Sequence, residues 1–204
     1  RSVMKGIYRS LDKGLELEAR YFSDCFKTPI PSYLISLFFS QETQRKAMVS
    51  SIKSLPIHQV GVIGAGLMGS GIAWSFIHRK IPVVLKDIQE VDVLKGLKSV
   101  DSINNQLLKR RRLTKREVNL AKFLVSPTLS YNELRSVDFV VEAVLEKMDV
   151  KKGVYAELES LVKPTTIIAS NTSSLSVDEL ASSLEKPERF IGMHFFSPVN
   201  RMPL

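Results

Sequence analysis

The sequence has almost no cysteine and no long apolar run, and both absences narrow what the protein can be. Cys25 is the only cysteine among 204 residues, so no disulfide can form within the chain and a reducing intracellular compartment is expected. The most apolar stretch, residues 34–39, is far shorter than the roughly 18 residues that a membrane-spanning helix needs. The sequence therefore predicts no integral membrane segment, and no group of residues in it suggests a metal site.

The charge is unbalanced towards the positive side. The formal net charge is +8, and the densest basic run covers residues 109–116. Nucleic-acid-binding proteins use such patches for phosphate contacts, but no recognition motif or interleaved aromatic side chain accompanies this one. A solvated helix end, whose cations suit the C-terminal dipole, is the simpler interpretation. Contact with the phosphates of a small anionic ligand is the alternative.

Residues 1–57 predict a short α-helical segment that is followed by a linker. Apolar residues recur at helical spacing up to about residue 26, which indicates an amphipathic helix. These residues are Val3, Ile7, Leu11, Leu15, Phe22 and Phe26. Pro29 and Pro31 then interrupt the pattern, and a second short helix is expected over residues 33–39. The polar residues 40–57 are predicted to be a linker, and the apolar stripe is expected to pack against another part of a larger protein.

Residues 58–204 alternate short apolar runs with helical patterns. Strands are predicted at residues 60–63, 82–86, 137–141, 166–169 and 190–193. Helices are predicted at residues 67–78, 89–112, 115–122, 147–162 and 177–183. Strands that are separated by helices form right-handed βαβ units around a mainly parallel sheet. The predicted fold class is therefore α/β, doubly wound and Rossmann-like, preceded by the α-helical segment.

Three glycines follow the first predicted strand at the spacing Gly-x-Gly-x-x-Gly. Gly64 suits a tight turn, Gly66 lets the backbone approach a pyrophosphate, and Gly69 lets the next helix pack on the strand. The pyrophosphate would lie at the N-terminus of that helix. Asp87, near the end of the second strand, is suited to bind an adenosine ribose and to repel a 2′-phosphate. The pattern predicts a site for NAD rather than NADP, although the neighbouring Lys86 weakens the exclusion of NADP.

Two further motifs follow later strands. Residues 170–174 are polar and mostly hydroxyl-bearing, and although Ser176 and Glu179 form a capping box for the next helix, capping gives no reason for the polar residues before it. His194 follows the last strand beside two phenylalanines, and is either a structural histidine or a general base. Because ligands bind at the carboxyl ends of parallel strands, both motifs are expected at the same edge as the glycine turn.

Taken together, these motifs resemble the NAD-binding domain of the L-3-hydroxyacyl-CoA dehydrogenase family over residues 59–204. The resemblance rests on the stretches from Val62 to Gly69, from Val140 to Glu146, from Ser170 to Leu175 and from Gly192 to Val199. The final residues 201–204 and the helices before residue 59 resemble the multifunctional branch of fatty-acid β-oxidation proteins, in which an enoyl-CoA hydratase precedes the dehydrogenase. Residues 1–57 would then be the end of the hydratase-like region, and residues 58–204 the NAD-binding domain.

The resemblance implies a role for individual residues. His194 would take the proton from the 3-hydroxyl group of a (3S)-3-hydroxyacyl-CoA while the C3 hydride moves to NAD. Ser173 would hydrogen-bond the substrate oxygen near the nicotinamide. Met68 and Asp87 would flank the adenosine, and Ser197 stands where many members of the family carry asparagine.

The resemblance also implies a longer set of ligand contacts. The cofactor-binding residues that it implies are Gly64, Gly66, Leu67, Met68, Gly69, Asp87, Val144, Leu145, Glu146, Lys151, Ser173 and Ser197. Residues 144–146 and Lys151 would line the nicotinamide ribose. Lys109, Arg110 and Arg111 would approach the CoA phosphates of the acyl-CoA substrate.

Two parts of the family's proteins are expected beyond these residues. In the family a glutamate that follows the His-Phe-Phe segment orients the histidine, and a C-terminal helical domain closes over the acyl-CoA. The expectation is a chain that is truncated before that domain, binds NAD and has little turnover alone. The parent protein would work in a complex with a thiolase or as a dimer, in the bacterial cytoplasm, a peroxisome or the mitochondrial matrix.

Two other functions are left open by the residues. One is a 2-hydroxyacid-type dehydrogenase with a similar Gly-Leu-Met-Gly start, in which a helical lysine transfers the proton. The other is a non-catalytic NAD-sensing module. Ser173 and His194 argue against both, because neither protein needs them. Nucleic acid is not an expected partner.

Overall fold

The computed structural model describes residues 2–49 and 55–202. The chain divides into two compact units, Arg1–Leu55 and Pro56–Leu204. In the described ranges, no helix is both long and apolar enough to cross a lipid bilayer.

The first unit is helical and consists of α1 (Ser2–Gly6), α2 (Leu11–Cys25) and α3 (Ile30–Val49). The single helix predicted up to about residue 26 is wrong, because the chain turns after Gly6 and Ser10 adopts the extended conformation from which α2 begins. Small residues let α1 and α2 pack closely, since a Cβ built on Gly6 would lie 3.7 Å from the Cα of Gly14. No residue of α2 is buried, so its apolar stripe is exposed.

The third helix is longer than the sequence pattern indicates. It begins before residue 33, because Pro31 lies in the first turn, where a helix tolerates proline. It then continues to Val49, so the predicted linker is wrong over residues 40–49. That stretch is polar but rich in good helix formers and has no glycine or proline to end the helix. Residues 50–54 of the predicted linker lie outside the described residues.

The second unit alternates strands and helices around one sheet. Its elements are β1 (Val60–Ile63), α4 (Leu67–His78), β2 (Val83–Lys86), α5 (Glu90–Lys109), α6 (Lys115–Phe123), β3 (Val125–Thr128), β4 (Phe139–Glu142), α7 (Met148–Glu159), β5 (Ile167–Ser170), α8 (Val177–Ala181) and β6 (Phe190–Gly192). All neighbouring strands are parallel, in the order β3-β2-β1-β4-β5-β6. The predicted doubly wound, Rossmann-like α/β fold is confirmed.

The strand order places a ligand crevice in a defined position. From β1 the chain builds outwards to β2 and β3, and then returns to place β4 on the other side of β1. In such sheets ligands bind beyond the carboxyl ends of the strands, where the direction of winding reverses. The crevice therefore lies at the ends of β1 and β4, next to the glycine turn.

One strand, β3, was not predicted. Its sequence is Val-Ser-Pro-Thr, so it contains Pro127 and lacks the continuous apolar run of the inner strands. Because β3 is an edge strand with β2 as its one neighbour in the sheet, the missing N–H of Pro127 costs little hydrogen bonding.

Helices cover both faces of the sheet. The inner strands are therefore buried on both sides, and their sequences are continuous apolar runs. On one face β1 and β2 pack against α4 and α5, with Ile72 and Val100 buried there. On the other face β4 and β5 pack against α7 and α8, with Leu158 and Leu180 buried there. The two layers hold the carboxyl ends of the strands in fixed positions.

Candidate active site

The glycine turn joins β1 to α4 at the carboxyl edge of the sheet. Gly64 has a φ of 97°, which favours glycine, and its N–H donates to the carbonyl oxygen of Lys86 at 2.8 Å. A Cβ on Gly69 would lie only 1.7 Å from the carbonyl oxygen of Gly64, so α4 can begin here only with glycine at that position. A Cβ on Gly66 would meet no atom within 4 Å. The turn is therefore tight at two glycines and open at the third.

The first turn of α4 offers unused hydrogen-bond donors to this open space. Gly66 is the N-cap and supplies no side chain, and the N–H of Ser70 makes the first helical bond, to Gly66. The N–H groups of the preceding residues have no acceptor within the helix, and the helix dipole favours an anion beside them. The open space and the free donors fit the diphosphate of a dinucleotide.

Asp87 ties the end of β2 to the glycine turn. One carboxylate oxygen accepts a hydrogen bond from the N–H of Ala65 at 2.6 Å, and the other accepts one from Ile88 at 2.7 Å. A carboxylate has about four acceptor positions, so both oxygens can still accept from ribose hydroxyls. Asp87 is half-buried at the edge that the sequence predicts for the ribose.

That Lys86 weakens the exclusion of NADP stays a prediction, and the position of the Lys86 side chain does not favour it. Successive residues of a strand point to opposite faces, and Lys86 points away from the Asp87 side into the sheet face. It is buried, and its Nζ lies 3.7 Å from the ring centroid of Tyr131. Burial lowers the pKa of Lys86, and raises the pKa of the Tyr131 hydroxyl to about 12. The ammonium is committed to this contact, so it is not placed to receive a 2′-phosphate.

A buried carboxylate organises the end of β4. Glu142 is fully buried and accepts four hydrogen bonds. The donors are Val144 N–H, Lys151 Nζ, Tyr155 Oη and Ser170 Oγ. Burial is the main cause that raises the pKa of Tyr155, and the adjoining Glu142 carboxylate adds to it. Sequence reasoning missed Glu142 and Tyr155 as parts of the site, although a glutamate that ends an apolar strand is a recognisable signal.

Lys151 joins that buried group to the cavity. Its Nζ is 2.6 Å from Oε1 of Glu142 and 3.2 Å from Oε2 of Glu146, and the side chain is almost wholly buried. An ammonium has three N–H donors, so one is left for a ligand. The position is compatible with the predicted cofactor role, but most of its bonding is to the protein.

Glu146 connects the loop after β4 to the loop after β5. Its Oε1 accepts from the Thr172 hydroxyl at 2.6 Å and from the N–H groups of Ser173 at 2.8 Å and Ser174 at 3.2 Å. Partial burial alone would raise the pKa of Glu146, but these hydrogen bonds and the one from Lys151 lower it to about 2. Glu146 is therefore ionised and holds the serine-rich loop in place.

A cavity of about 210 Å³ opens between these loops and α4. Its lining residues are Met68, Ala143, Val144, Glu146, Lys151, Asn171 and Ser173. Five of them are predicted site residues. Met68, which the resemblance assigns to the adenosine side, lines the cavity together with the residues that the resemblance assigns to the nicotinamide end. Sequence reasoning did not single out Ala143 and Asn171. Leu67, Leu145 and Ser197, which are exposed, do not line this cavity.

His194 lies in the segment that follows β6, next to the serine-rich loop. Its Nδ1 is 3.2 Å from the carbonyl oxygen of Thr172, and its ring meets the Phe196 ring edge-on at 5.1 Å between centroids. The following residue is fixed by Asn171, whose Oδ1 accepts from the N–H of Phe195 at 2.8 Å. His194 and Ser173 are both exposed, so both can reach a substrate.

The basic run is not brought to the cavity. Lys109 ends the 20-residue helix α5, and Arg110 and Arg111 follow it in an exposed turn. Since α5 begins near the carboxyl edge and is about 30 Å long, these side chains lie towards its far end. Only a ligand that is long enough to extend along the domain could contact them and the cavity together.

Known proteins with the same sequence pattern place these elements in one family. Residues 59–204 match the family model described as the 3-hydroxyacyl-CoA dehydrogenase NAD-binding domain. Over its full length the chain is 42% identical to a fatty acid oxidation complex subunit alpha of Pseudomonas putida, and 39% identical to one of Psychrobacter cryohalolentis. The chain spans 29% and 28% of the length of these curated relatives.

Solved structures show the same architecture over most of the chain. A (S)-3-hydroxybutyryl-CoA dehydrogenase from Ralstonia eutropha superimposes with a TM-score of 0.71 and 39% identity, covering 72% of this chain and 52% of that one. A 3-hydroxybutyryl-CoA dehydrogenase from Escherichia coli gives a TM-score of 0.71 and 32% identity, covering 72% of this chain and 31% of that one.

Proposed function

The chain belongs to the 3-hydroxyacyl-CoA dehydrogenase family and carries its NAD-binding domain, and we propose that this domain serves the oxidation of (3S)-3-hydroxyacyl-CoA to 3-oxoacyl-CoA. The substrate class rests on the names of the relatives, which concern fatty acid oxidation and 3-hydroxybutyryl-CoA. The reaction would be one step of fatty-acid β-oxidation.

The cofactor contacts follow from the geometry at the sheet edge. The free N–H groups at the start of α4 would bind the diphosphate, and Asp87 would accept hydrogen bonds from the adenosine ribose. Met68, Val144, Glu146 and Lys151 would surround the nicotinamide end, because they line the same cavity. Leu67, Leu145 and Ser197 would contact the cofactor from the exposed rim.

The proton transfer falls to His194. NAD, when bound, supplies the acceptor for the hydride from C3 of the substrate. The neutral imidazole of His194 would accept the proton of the 3-hydroxyl group through Nε2, because Nδ1 already faces the carbonyl of Thr172. The hydroxyl group of Ser173 would donate a hydrogen bond to the substrate oxygen.

One observation carries the proposal. Glu146 holds the Ser173 loop, and the same loop contacts His194 through Thr172, at the edge where the glycine turn opens. The imidazole that would remove the proton therefore adjoins the loop whose Ser173 lines the proposed cofactor cavity. A protein that only senses NAD needs no proton-accepting group next to its cofactor.

The remaining parts of the proposal concern the parent protein. Because the subunit alpha relatives match all of this chain, residues 1–57 would belong to the hydratase-like region that precedes the NAD-binding domain. Lys109, Arg110 and Arg111 would contact CoA phosphates. The relatives are subunits of a complex, so the parent would assemble with other chains, a thiolase or a second copy, in a reducing compartment.

The test is NADH-dependent reduction of acetoacetyl-CoA by the full-length protein that contains this domain. His194→Gln should lower kcat by roughly 10²–10⁴-fold, which is the usual contribution of a general acid–base group; in this direction His194 would give the proton to the substrate oxygen. His78→Gln is the matched control, because His78 stacks on Trp74 at the end of α4 and should leave the rate unchanged. A rate that His194→Gln does not change, or a preference for 2-hydroxyacids, would overturn the proposed function.

A further inference from the structure

We propose that Gly71 and Val199 are a pair of positioning residues that set the distance between Ser197 and the cofactor cavity. Val199 fills a gap on the surface of α4 that exists because residue 71 has no side chain. The cofactor part of this proposal rests on the proposed function. The contact between Gly71 and Val199 does not.

Gly71 is a buried glycine inside a helix, where glycine is less stable than alanine and needs a reason. It lies in the second turn of α4. A Cβ built on Gly71 would stand 2.9 Å from Cβ of Val199 and 3.0 Å from its Cγ2. The three atoms nearest to such a Cβ all belong to Val199. The side chain of Val199 therefore occupies the place of the one that residue 71 lacks.

The Val199 side chain cannot rotate out of this contact. Valine is branched at Cβ, so its χ1 angle is restricted. The atom closest to an added methyl group is also Cβ itself, and its position is set by the backbone. Val199 already packs against the apolar cluster that contains Trp74 and Phe195. A side chain at residue 71 would therefore push the backbone of residue 199 outwards, away from α4.

The segment that leads to Val199 is anchored at both ends and exposed between them. At its start, the Phe195 ring is buried and the Phe195 N–H donates to Oδ1 of Asn171 at 2.8 Å. At its end, Val199 fills the gap at Gly71. Residues 196–197, between the two anchors, are exposed. Their height above the sheet edge therefore depends on where the two anchors lie.

Pro198 passes a displacement of Val199 on to Ser197. Its ring fixes φ, so the link between the two residues has one rotatable bond fewer. The carbonyl oxygen of Pro198 accepts from the N–H groups of Arg201 at 2.9 Å and Met202 at 3.2 Å, which closes a turn around Val199. A shift of Val199 is therefore carried to Ser197 and is not absorbed between them.

The gap at Gly71 lies next to the cavity. Met68 precedes Gly71 by three residues, so it lies one helical turn nearer to the start of α4, and it lines the cavity. Met68 and Val199 pack against the same apolar cluster. Ser197 is the residue of this segment that the family resemblance assigns to the cofactor. The contact between Gly71 and Val199 therefore joins the helix that would bind the diphosphate to a rim residue that would touch the same cofactor.

The experiment compares NADH affinity in variants at both positions of this chain, by calorimetric titration of folded protein. Gly71→Ala should raise the Kd for NADH by about tenfold, which is an ordinary size for an overpacking effect. In the Gly71→Ala protein, Val199→Ala and then Val199→Gly should restore the affinity in steps, because they make room for the new methyl group. In the otherwise wild-type protein the same changes at residue 199 should weaken NADH binding, because they empty the gap. Such a reversal is what a direct contact produces in a double-mutant cycle.

Gly153→Ala is the matched control, because it also replaces a glycine inside a helix. A Cβ on Gly153 would meet no atom within 4 Å, so the affinity for NADH should not change.

The position of the segment is measured without cofactor, from the backbone amide NMR signals of residues 196, 197 and 199. Gly71→Ala should shift these signals, and Gly153→Ala should leave them in place. If Gly71→Ala does not fold, Val199→Ala and Val199→Gly in the otherwise wild-type protein should shift the same signals and weaken NADH binding.

The proposal is overturned if folded Gly71→Ala keeps the wild-type affinity for NADH, or keeps the wild-type amide signals of residues 196–197. A loss of stability alone would also overturn it, because the contact would then serve packing only. Wild-type protein that binds no NADH would contradict the proposed function, and the positioning role with it. Wild-type protein that binds NADH no better than Gly71→Ala does would contradict only the positioning role.

Discussion

Gly69 lies so close to Gly64 that a Cβ at residue 69 would stand 1.7 Å from the carbonyl oxygen of Gly64. The obstacle is backbone, which cannot rotate away as a side chain can. Gly69→Ala should therefore lower the free energy of unfolding by about 2 kcal/mol or more, as overpacking does. Urea unfolding of the variant and the wild type measures this difference. Equal midpoints would show that the turn can relax.

Gly66→Ala is the complementary change, because it adds the same methyl group where no atom lies within 4 Å. Its stability should equal that of the wild type. Its affinity for NADH should fall by about tenfold or more, a loss of about 1.4 kcal/mol, since the methyl group enters the space beside the free N–H groups of α4. Calorimetric titration gives the affinity. Unchanged affinity would mean that the diphosphate does not bind at this turn.

Asp87 should set the preference for NADH over NADPH. Asp87→Asn removes the charge that repels a 2′-phosphate and weakens the hydrogen bonds to the ribose, so NADH affinity should fall by about tenfold to a hundredfold. NADPH affinity should fall less, and the ratio of the two dissociation constants measures the effect. Lys86→Met is the control, and should leave the ratio unchanged because Lys86 packs on Tyr131. If Lys86→Met lost more affinity for NADPH than for NADH, Lys86 would contribute to NADPH binding, and its assignment to the Tyr131 contact alone would be contradicted.

Protonation of Glu146 should make the folded protein less stable in acid. Its pKa is lowered from 4.5 to about 2 in the folded chain, so the unfolded chain takes up a proton first as the pH falls. The stability that its ionised form contributes is complete above about pH 5, and is lost progressively as the pH falls towards 2. Glu146→Gln should therefore show a smaller loss of unfolding free energy between about pH 5 and pH 3. The same loss in both proteins would exclude Glu146 as a source of the acid sensitivity.

The features that could be predicted from the sequence are those encoded in contiguous residues. Gly64, Gly66 and Gly69 follow a buried strand and precede a helix, and each glycine has the local steric reason that the spacing implies. His194 and Ser173 follow apolar strands, and parallel strands bring their carboxyl ends to one edge. The fold class follows from the same local patterns, whereas Met68, Val144, Glu146 and Lys151 were expected only from the family resemblance.

The features that could not be predicted depend on contacts between residues far apart in the sequence. Glu146 binds residues 172–174, 26–28 positions away, and nothing in its own neighbourhood indicates that partner. The burial of Lys86 against Tyr131 was not predicted, because its neighbour Asp87 suggested a shared role, whereas adjacent strand residues face opposite sides. The strand β3 and the end of α3 were missed because an edge strand needs little apolar character and a polar helix needs no apolar stripe.

The central claim is that the amide-lined start of α4 captures the diphosphate of NAD. Calorimetric titration of the folded wild-type chain with NADH tests it most directly, with NADPH as the comparison. We predict saturable binding of one NADH per chain and distinctly weaker binding of NADPH. Folded protein that gives no binding signal with NADH, or that prefers NADPH, would contradict the claim.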